Sequence, residues 1–154
     1  SGKTAALFSI SLSSGAKESG VSEDKVKKLS KIGHYIGMAF QLTDDLLDYR
    51  SDEKTLGKEV KSDIFRGYYS LPLIISLKTS YSSEIKEILE KENIVYEDTK
   101  KLIEITNKTG AIKQTEDLAE KYTLKAVQEL QKFEESQGKK ILSDIIPKLL
   151  TRKY

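Results

Sequence analysis

An all-α helical bundle is the fold class that three features of this sequence predict. Apolar residues recur every three to four positions through most of the 154 residues, the spacing of one buried helix face. Short punctuation of Gly, Ser and Pro separates these runs. No stretch alternates apolar and polar residues with the period of two that a half-buried strand requires, and no internal repeat is evident. A length of 154 residues with 38% apolar and 32% charged residues suits a single domain, residues 1–154, with a buried core.

The first helix is expected from about Lys3 to Lys17. Ala5, Ala6, Leu7, Phe8, Ile10 and Leu12 are apolar nearly all round it, which predicts burial on more than one side, and Gly15 and Gly20 mark its end. Ser22 is placed to cap the next helix, with Glu23 and Asp24 in a first turn where the helix dipole favours them. Val26, Leu29, Ile32, Ile36, Ala39 and Phe40 then define the apolar face of a long helix that ends near Tyr49.

Residues 50–68 are polar, with several Lys and two Gly, and read as a loop. Long loops in compact domains are usually functional or disordered, and its position directly after the long helix favours a functional lid. Pro72 suits the first turn of a helix reaching about Thr79, because the N–H it lacks would be unpaired there in any case. Ser82 or Ser83 is expected to cap a shorter helix through Ile85, Ile88 and Leu89, and another runs from about Glu97 to Thr109, where Gly110 stops it. From Ala111 to Gln137 a charged amphipathic helix carries Ile112, Leu118, Tyr122, Ala126, Leu130 and Phe133 on one side, and should pack against the first half of the chain. Gly138 is expected to separate it from a last helix with Ile141, Leu142, Ile145, Ile146, Leu149 and Leu150, bent or broken at Pro147.

Near the end of the second helix Gln41, Asp44, Asp45 and Asp48 fall within about 100° of one another around the axis, forming an acidic stripe. Asp44 and Asp48 stand one turn apart, where like charges repel by a few tenths of a kcal/mol, about 0.2–0.5. Two readings are open at this point: a solvated acidic face, or a set of hard oxygen ligands for Mg²⁺, which keeps several waters and bridges carboxylates to phosphate. His34, the only histidine, lies two turns earlier and reads as structural, since the chain holds no Cys and no second His to build a transition-metal site.

Composition excludes several classes. A net charge of +2, from 26 basic and 24 acidic residues, gives no field suited to nucleic acid, and no basic cluster is interleaved with aromatics. The absence of Cys rules out a disulfide framework and accords with a reducing, cytoplasmic location. The longest apolar run, Leu71-Pro72-Leu73-Ile74-Ile75, is far too short for a transmembrane segment, and no signal-peptide pattern opens at Ser1.

Taken together, Phe40-Gln41-x-x-Asp44-Asp45-x-x-Asp48 resembles the second aspartate-rich motif of the trans-isoprenyl diphosphate synthases, the polyprenyl synthetase family. Lys3-Thr4 upstream resembles that family's Lys-Thr motif. Downstream, Leu56-Gly57-Lys58, Asp63, Gly67 and Ser70-Leu71-Pro72-Leu73 resemble its LGK…D…G…TLP segment, and Gly110-Ala111-Ile112 is a weaker fourth match. The matches cover the whole chain but only the C-terminal half of the family's domain; its first aspartate-rich motif and the neighbouring arginines do not occur here.

The resemblance implies the C-terminal portion of the isoprenoid synthase fold, with isopentenyl diphosphate and an allylic diphosphate as substrates and Mg²⁺ as cofactor. It implies that Asp44, and through water Asp48, bind Mg²⁺ while Asp45 orders the shell by hydrogen bonding, and that Lys3 and Lys58 contact diphosphate. Thr4 and Gln41 match positions lining the reaction site, where oxygens near the cation guide it; buried side chains satisfying helix carbonyls are the competing reading. Phe40 matches an aromatic near the isopentenyl site, or is plain core. Tyr68-Tyr69 stand where short-chain members carry Lys, Ser70 replaces Thr and Glu59 replaces Pro; the first of these points to a long-chain, hexaprenyl or heptaprenyl type component. The family resemblance also implies a homodimer or heterodimer, and the missing half implies that these residues alone do not elongate. A non-catalytic subunit of a heteromeric synthase and a helical interaction module remain alternatives.

Overall fold

In the computed structural model the described residues are 2–47, 49 and 68–150, with the side chains of Leu149 and Leu150 excepted. Seven helices are present among them, and no strand: α1 (Gly2–Glu18), α2 (Glu23–Leu47), α3 (Leu71–Ser76), α4 (Ser82–Leu89), α5 (Tyr96–Lys108), α6 (Ala111–Gln131) and α7 (Gln137–Leu150). None is long and apolar enough to cross a membrane. Asp48, Lys58 and the expected lid, apart from Tyr68, lie outside the described residues.

The chain forms two compact units, Ser1–Thr43 with Leu118–Tyr154, and Asp44–Asp117. In the first, Ile32 and Ile36 of α2, Ala126 and Leu130 of α6 and Ile146 of α7 make a buried cluster, with Phe8, Leu12, Leu29, Tyr35, Phe133 and Leu142 packed around it. Each large aliphatic side chain removed from water contributes about 1.5–3 kcal/mol. Beside this core Tyr122 packs against Tyr35 at 6.0 Å, and Lys31 pairs with Glu129 at 3.0 Å. The α6 segment thus meets α2 on the face its periodicity marks. The core of the second unit joins Leu73 of α3, Ile85 and Ile88 of α4, Ile94, and Leu102 and Ile105 of α5. Ser76 and Thr109 share a hydrogen bond there at 2.8 Å, and Gly110 ends the preceding helix in the left-handed region, φ +72°.

Four expectations are corrected. The first helix is buried on one side only: Ala5 and Ala16 are covered, whereas Leu7 and Ile10 are 58% and 61% exposed, because packing within its unit reaches only the opposite face. Neither Ser82 nor Ser83 caps α4, for Ser82 already lies inside it; the Thr79 hydroxyl accepts the Tyr81 N–H and starts the turn earlier. The break before α7 falls at residues 132–136 and not at Gly138. There the Lys139 ammonium donates to the carbonyls of Gln131 and Phe133, and Ser136 Oγ accepts the Lys139 N–H, so one side chain closes α6 while another opens α7. Finally, of the bend or break expected at Pro147 the break does not occur, for α7 continues through it. Ser143, whose carbonyl loses its partner, is exposed and open to water.

Candidate functional site

Two glycines decide how the site end of the first unit is assembled. A side chain on Gly33 would place its Cβ 2.4 Å from the Phe8 carbonyl oxygen, and one on Gly37 would place it 2.6 Å from Ala5 Cα. Both distances are far inside contact range, so α1 lies directly on the bare backbone of α2. The approach is fastened on either side. Ser9 Oγ donates to the Ser30 carbonyl at 3.0 Å and lies 2.8 Å from the Ser30 hydroxyl. At the other end Thr4 Oγ1 donates to Gln41 Oε1 at 2.7 Å.

Thr4 and Gln41, 37 positions apart in sequence, therefore meet as half-buried partners. Lys3 is exposed on the first turn of α1. The Phe40 ring packs at 5.6 Å and 41° against Phe8, which itself borders the first unit's core. His34 is exposed, with its ring 6.1 Å from that of Tyr35, and takes no part in this grouping.

The carboxylates belong to the second unit. Asp44 is exposed and Asp45 half-buried at the last turn of α2. One Asp45 oxygen, Oδ2, accepts the Leu71 N–H at 3.0 Å, and one turn on the Tyr49 hydroxyl meets Ser70 Oγ at 2.6 Å. These two bonds fasten the start of α3 to the end of α2.

Among the described residues no three His, Cys, Asp or Glu side chains converge to hold a metal ion by themselves. Among the described residues the last turn of α2 offers the carboxylate oxygens of Asp44 and Asp45, which suit a hard cation such as Mg²⁺ better than a transition metal. With one Asp45 oxygen already engaged, water and phosphate oxygens are needed to complete a shell, as Mg²⁺ ordinarily prefers.

The sequence pattern brings forward Lys3, Thr4, Phe40, Gln41, Asp44 and Asp45 but not Gly33, Ser30, Tyr49 or the role of Gly37. The signal for the glycines was their spacing of four, which lines small residues along one helix face.

Comparison with known proteins gives a consistent picture. The family model described as Polyprenyl synthetase matches residues 1–106. Heptaprenyl diphosphate synthase component 2 of Bacillus subtilis (strain 168) is 34% identical over 152 residues, covering 99% of this chain and 43% of its own length. The crystal structure of geranylgeranyl pyrophosphate synthase from Lactobacillus brevis complexed with citrate superposes with a TM-score of 0.91 at 32% identity, covering 99% of this chain and 49% of that one. Polyprenyl synthase from Caulobacter crescentus, solved with calcium and isoprenyl diphosphate, superposes with a TM-score of 0.81 at 31% identity, covering 99% and 47%. The chain thus has the isoprenoid synthase all-α fold and spans about half the length of the relatives it matches.

Proposed function

The chain belongs to the polyprenyl synthetase family, and from this we propose that it is the second-motif part of a prenyltransferase that condenses isopentenyl diphosphate with an allylic diphosphate. The observation that carries the proposal is the placing of the family match. Residues 1–106 contain Lys3-Thr4, the carboxylates ending α2, Leu56-Gly57-Lys58 and Ser70-Leu71-Pro72-Leu73 in the family's order. A binding module alone would need neither the carboxylates nor the lysines.

In this reading Asp44 and Asp48 hold Mg²⁺, which when bound supplies positive charge against the departing diphosphate and so lowers the barrier to ionisation. Asp45 holds the neighbouring chain in place: its Oδ2 bond to Leu71 secures the segment that follows Lys58 in sequence. Lys3, exposed on α1, and Lys58 add cationic contacts to diphosphate. Thr4 and Gln41 present a fixed polar pair to the allylic end, and Phe40 offers an aromatic edge beside the isopentenyl group. The calcium and isoprenyl diphosphate in the Caulobacter structure support a divalent cation and a diphosphate as the ligands.

A partner subunit is part of the proposal. That the Bacillus relative is one component of a heptaprenyl diphosphate synthase, and that Leu7 and Ile10 are exposed on α1, support assembly as a homodimer or heterodimer. Residues 1–154 are taken as the C-terminal part of one polyprenyl synthetase domain, so that elongation needs the portion of the relatives that this chain does not match. A turnover assay with isopentenyl diphosphate and an allylic primer tests this directly. The 154 residues should yield no product alone, and polyprenyl product from the purified chain would overturn that requirement.

A further inference from the structure

We propose that Gly37 is a positioning residue for Gln41: its lack of a side chain seats α1 so closely that the Thr4 hydroxyl holds the Gln41 amide in one orientation. The placement rests on four observations in one compact unit. Gly37 is buried, and a Cβ there would lie 2.6 Å from Ala5 Cα, 3.1 Å from the Thr4 carbonyl oxygen and 3.2 Å from Ala5 N. Each of those atoms is α1 backbone, which cannot turn aside as a side-chain end can. Gly33 repeats the approach one turn earlier against Phe8, and the Ser9–Ser30 bonds fix the register of the two helices. Thr4, adjacent to Ala5, then reaches Gln41, one turn beyond Gly37, at 2.7 Å.

The distances make the dependence steep. Carbon atoms settle at about 3.5–4.0 Å, so an added methyl at 37 drives the α1 backbone back by on the order of 1 Å. Hydroxyl–oxygen bonds form at about 2.5–3.0 Å. A retreat of that size breaks the Thr4–Gln41 bond with both side chains chemically unchanged. An amide has two chemically opposite ends, and with Oε1 held by a hydroxyl donor its orientation no longer averages. The amide orientation decides whether Gln41 meets a ligand as donor or acceptor. Gly37 thereby acts on the site through Gln41 and touches no ligand itself. That consequence for ligand binding rests on the function proposed above; the positioning itself does not.

The test is nuclear magnetic resonance of the Gln41 side-chain amide in the 154-residue chain, with no ligand present. Thr4→Val and Gly37→Ala should both move that resonance away from its wild-type position, and in the same direction. Thr4→Ser, which keeps the hydroxyl, should restore the wild-type position, and Ile146→Val, a core change in the same unit, should leave it alone. An unmoved amide in Gly37→Ala, or failure of Thr4→Ser to differ from Thr4→Val, would overturn the proposal. Should Gly37→Ala not fold, the Thr4 pair still decides the hydrogen bond. Through-space contact between the Gly37 and Ala5 α-protons in the wild type then decides the close approach, and its absence counts against the proposal. As a second readout, Mg²⁺-dependent binding of inorganic diphosphate should weaken roughly two- to tenfold in Thr4→Val and recover in Thr4→Ser. If the wild-type chain binds no diphosphate while the amide behaves as expected, the function fails and the positioning stands.

Discussion

The Asp45 carboxylate accepts the Leu71 N–H at 3.0 Å, capping α3 from a helix that ends more than twenty residues earlier. At the N-cap position Ser70 forms no capping bond, its hydroxyl being turned to Tyr49, and Pro72 has no N–H to satisfy. Asp45 therefore answers one of the donors that the start of the helix leaves over. Asp45→Ala should cost about 0.5–2 kcal/mol, the usual loss for a helix cap, while Asp45→Asn, which keeps an acceptor oxygen, should lose clearly less. Urea unfolding of both variants measures this. Equal losses would mean that the negative charge, and not the cap, is what matters.

Gly33→Ala should be more damaging than any exposed substitution on α2. Its Cβ would meet the Phe8 carbonyl at 2.4 Å, and overpacking of this kind costs typically 1–3 kcal/mol. The midpoint of thermal unfolding should fall by several degrees, whereas Gly15→Ala on α1, where a Cβ meets nothing within 4 Å, should be neutral or slightly stabilising. A Gly33→Ala protein as stable as wild type would show that α1 lies farther off than described.

Acid should act on the second unit through Asp98. The Lys91 ammonium donates to Oδ1 at 2.6 Å and the Val95 N–H to Oδ2 at 3.0 Å. These bonds, Lys91 first, hold the carboxyl below its ordinary range. Val95 has no side-chain acceptor to return, so this is half of a capping box. A carboxyl depressed in the folded state adds stability that is fully present above its unfolded pKa, about 3.9, and is lost as pH falls through the folded value. Between pH 6 and pH 3, Asp98→Asn should therefore lose less stability than wild type. Parallel pH profiles would remove Asp98 from the account.

The helices that carry this architecture were legible because their burial is periodic. Ile32 and Ile36, Ala126 and Leu130, and Ile85 and Ile88 all lie buried on the faces their spacing marks, and Gly110 ends a helix where a left-handed residue is required. Pairings between distant residues were not legible in the same way. Nothing local to Ser136 or Lys139 announces that a lysine will close α6, and Gly138 was the more obvious breaker. The same holds at the site. Thr4, Gln41, Asp44 and Asp45 stand out by motif, but the contact between Thr4 and Gln41 depends on Gly33 and Gly37 admitting another helix, which a one-dimensional pattern does not encode.

The acidic end of α2 should trade stability for ligand. Asp44 and Asp48 are four positions apart in sequence, the spacing at which like charges on a helix repel, so Asp44→Asn should leave thermal stability unchanged or raise it by a few tenths of a kcal/mol, about 0.2–0.5. The midpoint gained on adding Mg²⁺ with diphosphate should disappear in the same variant. Thermal unfolding with and without the pair, read side by side, checks both halves, and a variant that keeps its ligand-induced gain would free Asp44 from any metal.

Calorimetric titration of an allylic diphosphate analogue into this chain, with Mg²⁺ and then with EDTA, tests the proposed site most directly. Heat that requires the metal in wild type and vanishes in Asp44→Ala is the result predicted for carboxylates and lysines that together hold a metal diphosphate. Binding of equal strength in EDTA, or in Asp44→Ala, would contradict it.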